Sequence, residues 1–146
     1  MTESEVKYST TAINVGGRVG ESRLPDGSFS VKVSTPKEMG GPGQGSNPEQ
    51  LFAMGYSACY HSALEHYKKE EKISNKSEVT LTINLLSDPS DGGFKLAAVI
   101  EVAVEGLEDA KVQELAEKAH NYCPYSKATK GNIDVTVKTK EYVGEE

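Results

Sequence analysis

Two cysteines, Cys59 and Cys123, are the residues of this chain with the widest choice of chemistry. A thiolate can act as a nucleophile, a metal ligand or a redox group. The two lie far apart in the sequence, so they do not form the CxxC pair of a redox turn. Three interpretations are open from the residues alone: two unrelated thiols that pack as small hydrophobic side chains, a metal site, or a reactive thiol with a second cysteine as its partner.

A metal site would draw on the histidines nearest to the cysteines, His61 and His120. Residues 120 and 123 would share one face of a helix, whereas residues 59 and 61 would point about 200° apart. The spacing therefore gives a metal site only weak support.

A reactive thiol would have to ionise near neutral pH, which the middle of a helix does not favour because the helix dipole acts only near the ends. A positive charge must come from elsewhere. The candidate is Arg18, within the glycine-rich run at 16–20, where a backbone can approach closely. The alternative is a solvent-exposed arginine at a hairpin tip. Glu49 could hold Arg18 in place and accept a proton, or could be a carboxylate stabilised at a helix N-terminus.

The segment that must position Cys59 is 47–67, NPEQLFAMGYSACYHSALEHY, which predicts a long helix. Asn47 can cap it and Pro48 suits its first turn, while Ser46 with Glu49 offers a capping box. Residues 50–64 carry no formally charged side chain, and apolar or small residues fall all round the helix. The pattern predicts a buried central helix, too short and too polar to span a membrane.

The rest of the chain predicts strands on both sides of that helix and a second, amphipathic helix. Alternating and β-branched patterns indicate strands, and Pro124 ends the second helix. The order is an antiparallel β-meander, the long helix, a second antiparallel sheet segment with the amphipathic helix, and a last strand. The sequence thus predicts an α+β fold in a single domain, 1–146. The predicted strands are 6–15, 18–24, 29–33, 79–86, 94–104 and 133–143, and the second helix is 109–122.

Composition restricts the partners of the chain. With a net charge of −6 and a pI near 5.2, the 146-residue protein is expected to bind neither nucleic acid nor an anionic membrane. No apolar stretch follows Met1, and two cysteines are too few for a disulfide scaffold, so we expect a cytoplasmic protein.

Several motifs resemble those of the organic hydroperoxide resistance proteins, in the wider family that also includes the osmotically inducible protein C branch. The resemblance covers nearly the whole chain. The motifs are TAINVGGRVG at 11–20, STPKEMGGPG at 34–43, NPEQLFAMGYSAC at 47–59 and AHNYCPYSKATKGNIDV at 119–135.

The resemblance implies a thiol peroxidase that reduces organic hydroperoxides to alcohols without haem, flavin or metal. Cys59 would be the peroxidatic thiolate and Cys123 the resolving thiol, so that the two form a disulfide. Arg18 would lower the pKa of Cys59 and polarise the peroxide, and Glu49 would orient Arg18. Similar proteins are recycled by dithiols of the lipoyl type.

Four apolar or aromatic residues are candidates for the walls of a pocket that would hold the alkyl tail of the peroxide, although core packing is an alternative role for each of them. These candidates are Leu51, Phe52, Met54 and Tyr125. Two other functions stay open. One is an osmotically inducible protein C-type peroxidase with a different physiological peroxide. The other is a non-catalytic binding protein whose two thiols only pack.

The distance from Glu49 to Cys59 leads to a further expectation. Ten residues span about 15 Å along a straight helix, too far for Arg18 to bridge easily while touching the sulfur. Either the helix breaks at Gly55, or two copies cross antiparallel near Met54 and Gly55. We favour the second, an intertwined homodimer that places Glu49 of one subunit beside Cys59 of the other.

Overall fold

The computed structural model describes residues 4–144 of the chain. The chain divides into two compact units, Met1–Pro48 and Glu49–Glu146. Within residues 4–144, no helix is both long enough and apolar enough to cross a membrane.

The first unit contains the predicted β-meander. Its strands are β1 Ile13–Val15, β2 Gly20–Arg23 and β3 Ser30–Val33, paired antiparallel in that order. β1 begins later than predicted: residues 4–12 form no strand and are exposed throughout. The β-branched residues there signal strand propensity, but propensity alone does not form a strand that has neither a partner strand nor a surface to pack on. A single 3₁₀ turn, Lys37–Met39, interrupts the glycine-rich loop that follows.

The turn between β1 and β2 carries Arg18 and depends on glycine. Gly16 has φ of 92°, in the left-handed region that favours glycine, and a Cβ there would lie 2.3 Å from the carbonyl oxygen of Val19. A side chain at this position would therefore disrupt the turn.

The second unit is built on helix α1, Pro48–Glu70, which begins where the sequence predicts. It is continuous through Gly55, so the alternative of a break there is wrong. It ends at Glu70, three residues beyond the predicted segment, and Lys68 near this end is buried and donates a hydrogen bond to Glu65. Burial within one chain is confined to one face, while Met54 on another side is 58% exposed. The residues buried along that face are Tyr56, Tyr60, Ala63, Leu64 and Lys68.

A second three-stranded sheet covers this face. β4 Ser77–Asp88 and β5 Gly93–Val104 form the predicted antiparallel hairpin. β6, Asp134–Thr139, pairs parallel to β5, which the sequence analysis did not predict. Parallel neighbours need a crossover connection, and two helices between β5 and β6 supply it.

Those helices are α2 Asp109–Tyr122, with the bounds predicted, and α3 Pro124–Thr129, which was not predicted. Pro124 ends α2 and also starts α3, since proline suits the first helical position. Side chains of α1, β5 and α2 form one buried core that includes Leu64, Ile100 and Leu115. This core fixes Cys123 at the junction of α2 and α3, facing α1.

Candidate active site

The fold brings the two cysteines into contact. The Sγ atoms of Cys59, in the middle of α1, and Cys123, between α2 and α3, lie 3.4 Å apart. Both are free thiols; Cys123 is completely buried and Cys59 only partly. The contact excludes two unrelated thiols in separate parts of the core. It also leaves the sulfurs close enough to bond after a small rotation of either side chain.

The surroundings of Cys59 act on its pKa in opposite directions. Burial, the largest effect, raises the pKa of the Cys59 thiol, and the neighbouring Cys123 raises it further. The backbone N–H of Tyr125 donates a hydrogen bond to the sulfur and favours the thiolate. The net effect is a raised pKa, so ionisation near neutral pH requires a positive charge in addition to these groups.

Three aromatic rings form a wall beside Cys59. The ring centroids of Phe52 and Tyr125 are 6.0 Å apart and stacked, and Tyr56 lies 5.8 Å from Phe52 and 5.6 Å from Tyr125. Tyr125 remains 38% exposed, so solvent reaches part of the wall. Gly55 makes room for it: a Cβ at Gly55 would lie 2.9 Å from the Tyr125 hydroxyl oxygen. The Tyr125 side chain therefore packs directly against Gly55; the expected crossing of two copies of the helix stays a prediction.

Of the four predicted wall residues, the structure brings Phe52 and Tyr125 together. Leu51 is partly buried, and Met54 points to another side of α1. Tyr56 was not among the predicted wall residues, although Phe52, Tyr56 and Cys59 share one helix face by their spacing of four and then three residues. That spacing was the signal that could have identified it.

Beneath the wall lies a largely buried network of side-chain hydrogen bonds. The Tyr56 hydroxyl is 2.8 Å from Ser126 Oγ and 3.0 Å from Thr129 Oγ1, and His120 Nδ1 is 2.9 Å from Ser126 Oγ. We call these four side chains the hydroxyl network. The sequence does not predict this network, because its members come from three separate helices.

Arg18 lies in the predicted hairpin turn and Glu49 at the start of the predicted long helix, but their roles stay predictions. Arg18 is exposed in the β1–β2 turn of the first unit. Glu49 is partly buried in the first turn of α1, and the continuous helix keeps it about 15 Å from Cys59 along the axis.

The two candidate metal-binding histidines bond to serines. His61 Nε2 is 2.8 Å from Ser77 Oγ, and His120 belongs to the hydroxyl network. Over residues 4–144 there is no group of three histidine, cysteine or acidic side chains arranged to hold a metal ion.

Comparison with known proteins places the chain in a family. Residues 41–138 match the family model described as OsmC-like protein. This range includes both cysteines, the aromatic wall and the hydroxyl network. The chain therefore belongs to the OsmC-like family.

Individual relatives narrow the comparison. The chain is 53% identical to organic hydroperoxide resistance protein-like 2 of Staphylococcus epidermidis, over 88% of this chain and 92% of the relative. Among solved structures, OhrB of Bacillus subtilis is 42% identical with a TM-score of 0.84, covering 92% of this chain and all of that one. An organic hydroperoxide resistance protein of Legionella pneumophila is 39% identical with a TM-score of 0.87, covering 93% and 99%. The α+β fold and the resemblance to this group are thus confirmed.

Proposed function

We propose that the protein detoxifies peroxides as a single-domain, thiol-dependent organic hydroperoxide reductase. The observation that carries the proposal is the 3.4 Å contact between a partly exposed and a fully buried thiol, beside an aromatic wall. The names of its relatives support the same substrate class.

In the first step, the Cys59 thiolate attacks the distal oxygen of the hydroperoxide. An S–O bond forms as the O–O bond breaks, which oxidises the sulfur to a sulfenic acid. The alkoxide leaves with a proton taken from solvent, as the alcohol. Cys59 suits this step because it is the sulfur that solvent can reach, and because the Tyr125 N–H stabilises the thiolate that attacks.

In the second step, Cys123 attacks the sulfenic sulfur of Cys59. The S–S bond forms, the S–O bond breaks, and the hydroxyl group leaves as water with the proton of the Cys123 thiol. A dithiol of the lipoyl type then exchanges with the disulfide, returning both thiols and becoming a cyclic disulfide itself. Cys123 suits this step because it is buried against the one sulfur it has to meet.

We propose that Arg18 supplies the positive charge that Cys59 needs in order to ionise near neutral pH. Its guanidinium would lower the pKa of Cys59 and polarise the peroxide, and Glu49 would hold the guanidinium in position. The continuous helix supports a Glu49 supplied by a second copy of the chain, because no bend brings residues 49 and 59 of one copy together. A shared site would be completed only in a homodimer.

Mixing two inactive variants tests the shared site. Heterodimers of Cys59→Ser and Glu49→Ala chains contain one site with both wild-type residues, if Glu49 comes from the partner. We expect these heterodimers to recover part of the activity. If heterodimers are confirmed to form but are inactive, Glu49 and Cys59 of the same chain would have to act in one site.

The aromatic wall suggests a preference for alkyl hydroperoxides. An alkyl chain gains free energy when it is buried against Phe52 and Tyr125, whereas hydrogen peroxide has no chain to bury. A peroxidase of the osmotically inducible type would share the thiol chemistry and differ in its physiological peroxide. A binding protein with two packed thiols would consume no peroxide.

Steady-state turnover with dihydrolipoamide separates these functions. We expect wild-type protein to convert tert-butyl and cumene hydroperoxide to the alcohols with a higher kcat/KM than hydrogen peroxide, and Cys59→Ser to convert neither. Higher efficiency with hydrogen peroxide would contradict the proposed substrate class. If no peroxide were turned over, and stoichiometric peroxide also left both thiols unchanged, the proposed peroxidase activity would be contradicted.

A further inference from the structure

The hydroxyl network connects the three helices that carry the reacting groups. Tyr56 lies three residues before Cys59 on α1, His120 three residues before Cys123 on α2, and Ser126 three residues after Cys123 on α3. Its bonds therefore join the backbone on both sides of Cys123 to the helix that holds Cys59. A shift of α3 would break a bond of the network and would also move Cys123 and the Tyr125 N–H.

The three hydroxyl groups of the network are shielded from solvent, while His120 at its edge is partly exposed. Tyr56 and Ser126 are completely buried and Thr129 is 5% exposed. A buried polar group without a partner is costly, so the native state is held to the arrangement in which each hydroxyl is bonded. A fully satisfied network of this kind fixes relative positions more sharply than apolar contacts alone.

The contacts also define a direction for the hydrogen bonds. Thr129 Oγ1 donates to the backbone carbonyl of Ser126 at 3.2 Å, which uses its only hydrogen. The Tyr56 hydroxyl then donates to Thr129, and the Ser126 hydroxyl donates to Tyr56. With its hydrogen used, Ser126 must accept from His120, so His120 carries a hydrogen on Nδ1. In this order every hydroxyl donates once and none is left unbonded.

From this geometry we infer that Tyr56, His120, Ser126 and Thr129 are positioning residues for disulfide formation. They hold the Cys123 sulfur against the Cys59 sulfur, so that the sulfenic acid is captured before a second peroxide reaches it. The inference rests on the proposed function for its reaction, and on the network itself for its geometry. None of the four side chains has to touch the peroxide.

The structure offers a matched control in Tyr60. Its hydroxyl is also completely buried on α1, and it donates to the backbone carbonyl of Ala116 on α2 at 2.6 Å. This bond joins two helices but does not reach α3 or Ser126. Tyr56→Phe and Tyr60→Phe therefore remove the same chemical group from the same helix, and only the first removes it from the network.

His120 allows a test of direction through two substitutions. The side-chain amide of asparagine places its N–H donor close to the position of histidine Nδ1, whereas glutamine places it close to Nε2. His120→Asn should therefore preserve the network, and His120→Gln should break it. A residue that only fills space would not distinguish the two.

The first measurement uses no peroxide. Each variant is equilibrated with reduced and oxidised dithiothreitol, and the fraction with the Cys59–Cys123 disulfide is read by mass after alkylation. We expect Tyr56→Phe and His120→Gln to lower the equilibrium constant for the disulfide about two- to tenfold, because without the network the two sulfurs of the reduced protein are held together less closely and their effective concentration falls. His120→Asn and Tyr60→Phe should match wild type. Equal constants for Tyr56→Phe and Tyr60→Phe, or for His120→Asn and His120→Gln, would overturn the inference.

The second measurement uses excess alkyl hydroperoxide. For the same amount of sulfenic acid formed, Tyr56→Phe should accumulate more sulfinic acid at Cys59 than wild type, while Tyr60→Phe should not. Unchanged over-oxidation in Tyr56→Phe would also overturn the inference. A wild-type protein that does not react with peroxide would contradict the proposed function, and the dithiothreitol equilibrium would still decide the positioning role. If Tyr56→Phe does not fold, Thr129→Val with Thr129→Ser as its control replaces it in both measurements.

Discussion

The environments of the two cysteines differ although their sulfurs touch. Cys59 lies in the middle of a long helix, partly exposed, with an aromatic wall on one side and a backbone N–H directed at its sulfur. Cys123 is completely buried between two helices. Its own backbone N–H donates to the carbonyl of Ala119 and its carbonyl accepts from the N–H of Lys127, both at 2.9 Å.

This difference shows how one side-chain type can take two roles. A substrate from solvent can reach the sulfur of Cys59 but not that of Cys123, whose accessible partner is the neighbouring sulfur. In the proposed mechanism, accessibility therefore separates the thiol that would react with the peroxide from the thiol that would close the disulfide. Each variant below tests or refines this separation.

The largest effect is expected from Cys59→Ser. A serine hydroxyl is not ionised near neutral pH and is a poor nucleophile, so the rate of peroxide consumption should fall at least about a thousandfold. Stopped-flow kinetics with an alkyl hydroperoxide measures this. A variant that keeps a substantial rate through Cys123 would show that the buried thiol is accessible after all.

A smaller loss is expected from Arg18→Ala. Without the guanidinium, burial should raise the pKa of Cys59 and lower the thiolate fraction, slowing the first step about ten- to a hundredfold near neutral pH. Arg18→Lys should restore part of the rate, since lysine keeps the charge without the planar fork. Titration of the thiolate by ultraviolet absorbance decides the point, because an unchanged pKa would leave Arg18 a surface residue.

A change of a few-fold is expected from Gly55→Ala. The new methyl group would meet the Tyr125 hydroxyl and displace the ring from the wall, although alanine favours the helix by about 1 kcal/mol. We expect a higher KM for cumene hydroperoxide and little change for hydrogen peroxide. Adding Tyr125→Phe removes the clashing oxygen and should restore the KM. If the double variant had the same KM for cumene hydroperoxide as Gly55→Ala, the aromatic wall would have no role in binding the substrate.

The smallest effect concerns pH and His120. Burial, and then the charge of Lys130, hold the pKa of His120 below its usual value of 6.5. The unfolded chain therefore takes up this proton more readily, so the contribution of His120 to stability is complete above about pH 6.5 and is lost as pH falls through the folded pKa. Urea unfolding across this range should show a shallower pH dependence in His120→Asn than in wild type. Identical slopes would contradict the burial effect.

Much of the fold follows from local sequence patterns. The signals at Asn47 and Pro48 and the 3.6-residue period of α2 act within a few residues, and both helices begin where the sequence predicts, whereas β1 is seven residues shorter than predicted. The parallel pairing of β6 and the extra helix α3 depend on contacts between distant segments, which local patterns do not encode.

The candidate site divides in the same way. The residue types at Cys59, Cys123 and Tyr125 indicate chemistry by themselves, and the resemblance of the motifs gives them roles. The 3.4 Å contact, the Tyr125 N–H and the hydroxyl network arise only when α1, α2 and α3 pack together. Gly55 illustrates the limit, because its small size predicts a close approach without naming Tyr125 as the side chain that approaches.

Mass spectrometry of the peroxide-treated Cys123→Ser variant is the most direct test of the asymmetry between the two thiols. With a stoichiometric alkyl hydroperoxide, this variant should gain one oxygen at Cys59, and with excess peroxide two or three, whereas wild type should lose two hydrogens and gain no oxygen. The reciprocal Cys59→Ser variant should gain none. Oxygen found on Cys123 of the reciprocal variant, with none on Cys59 of Cys123→Ser, would contradict the assignment of the two roles.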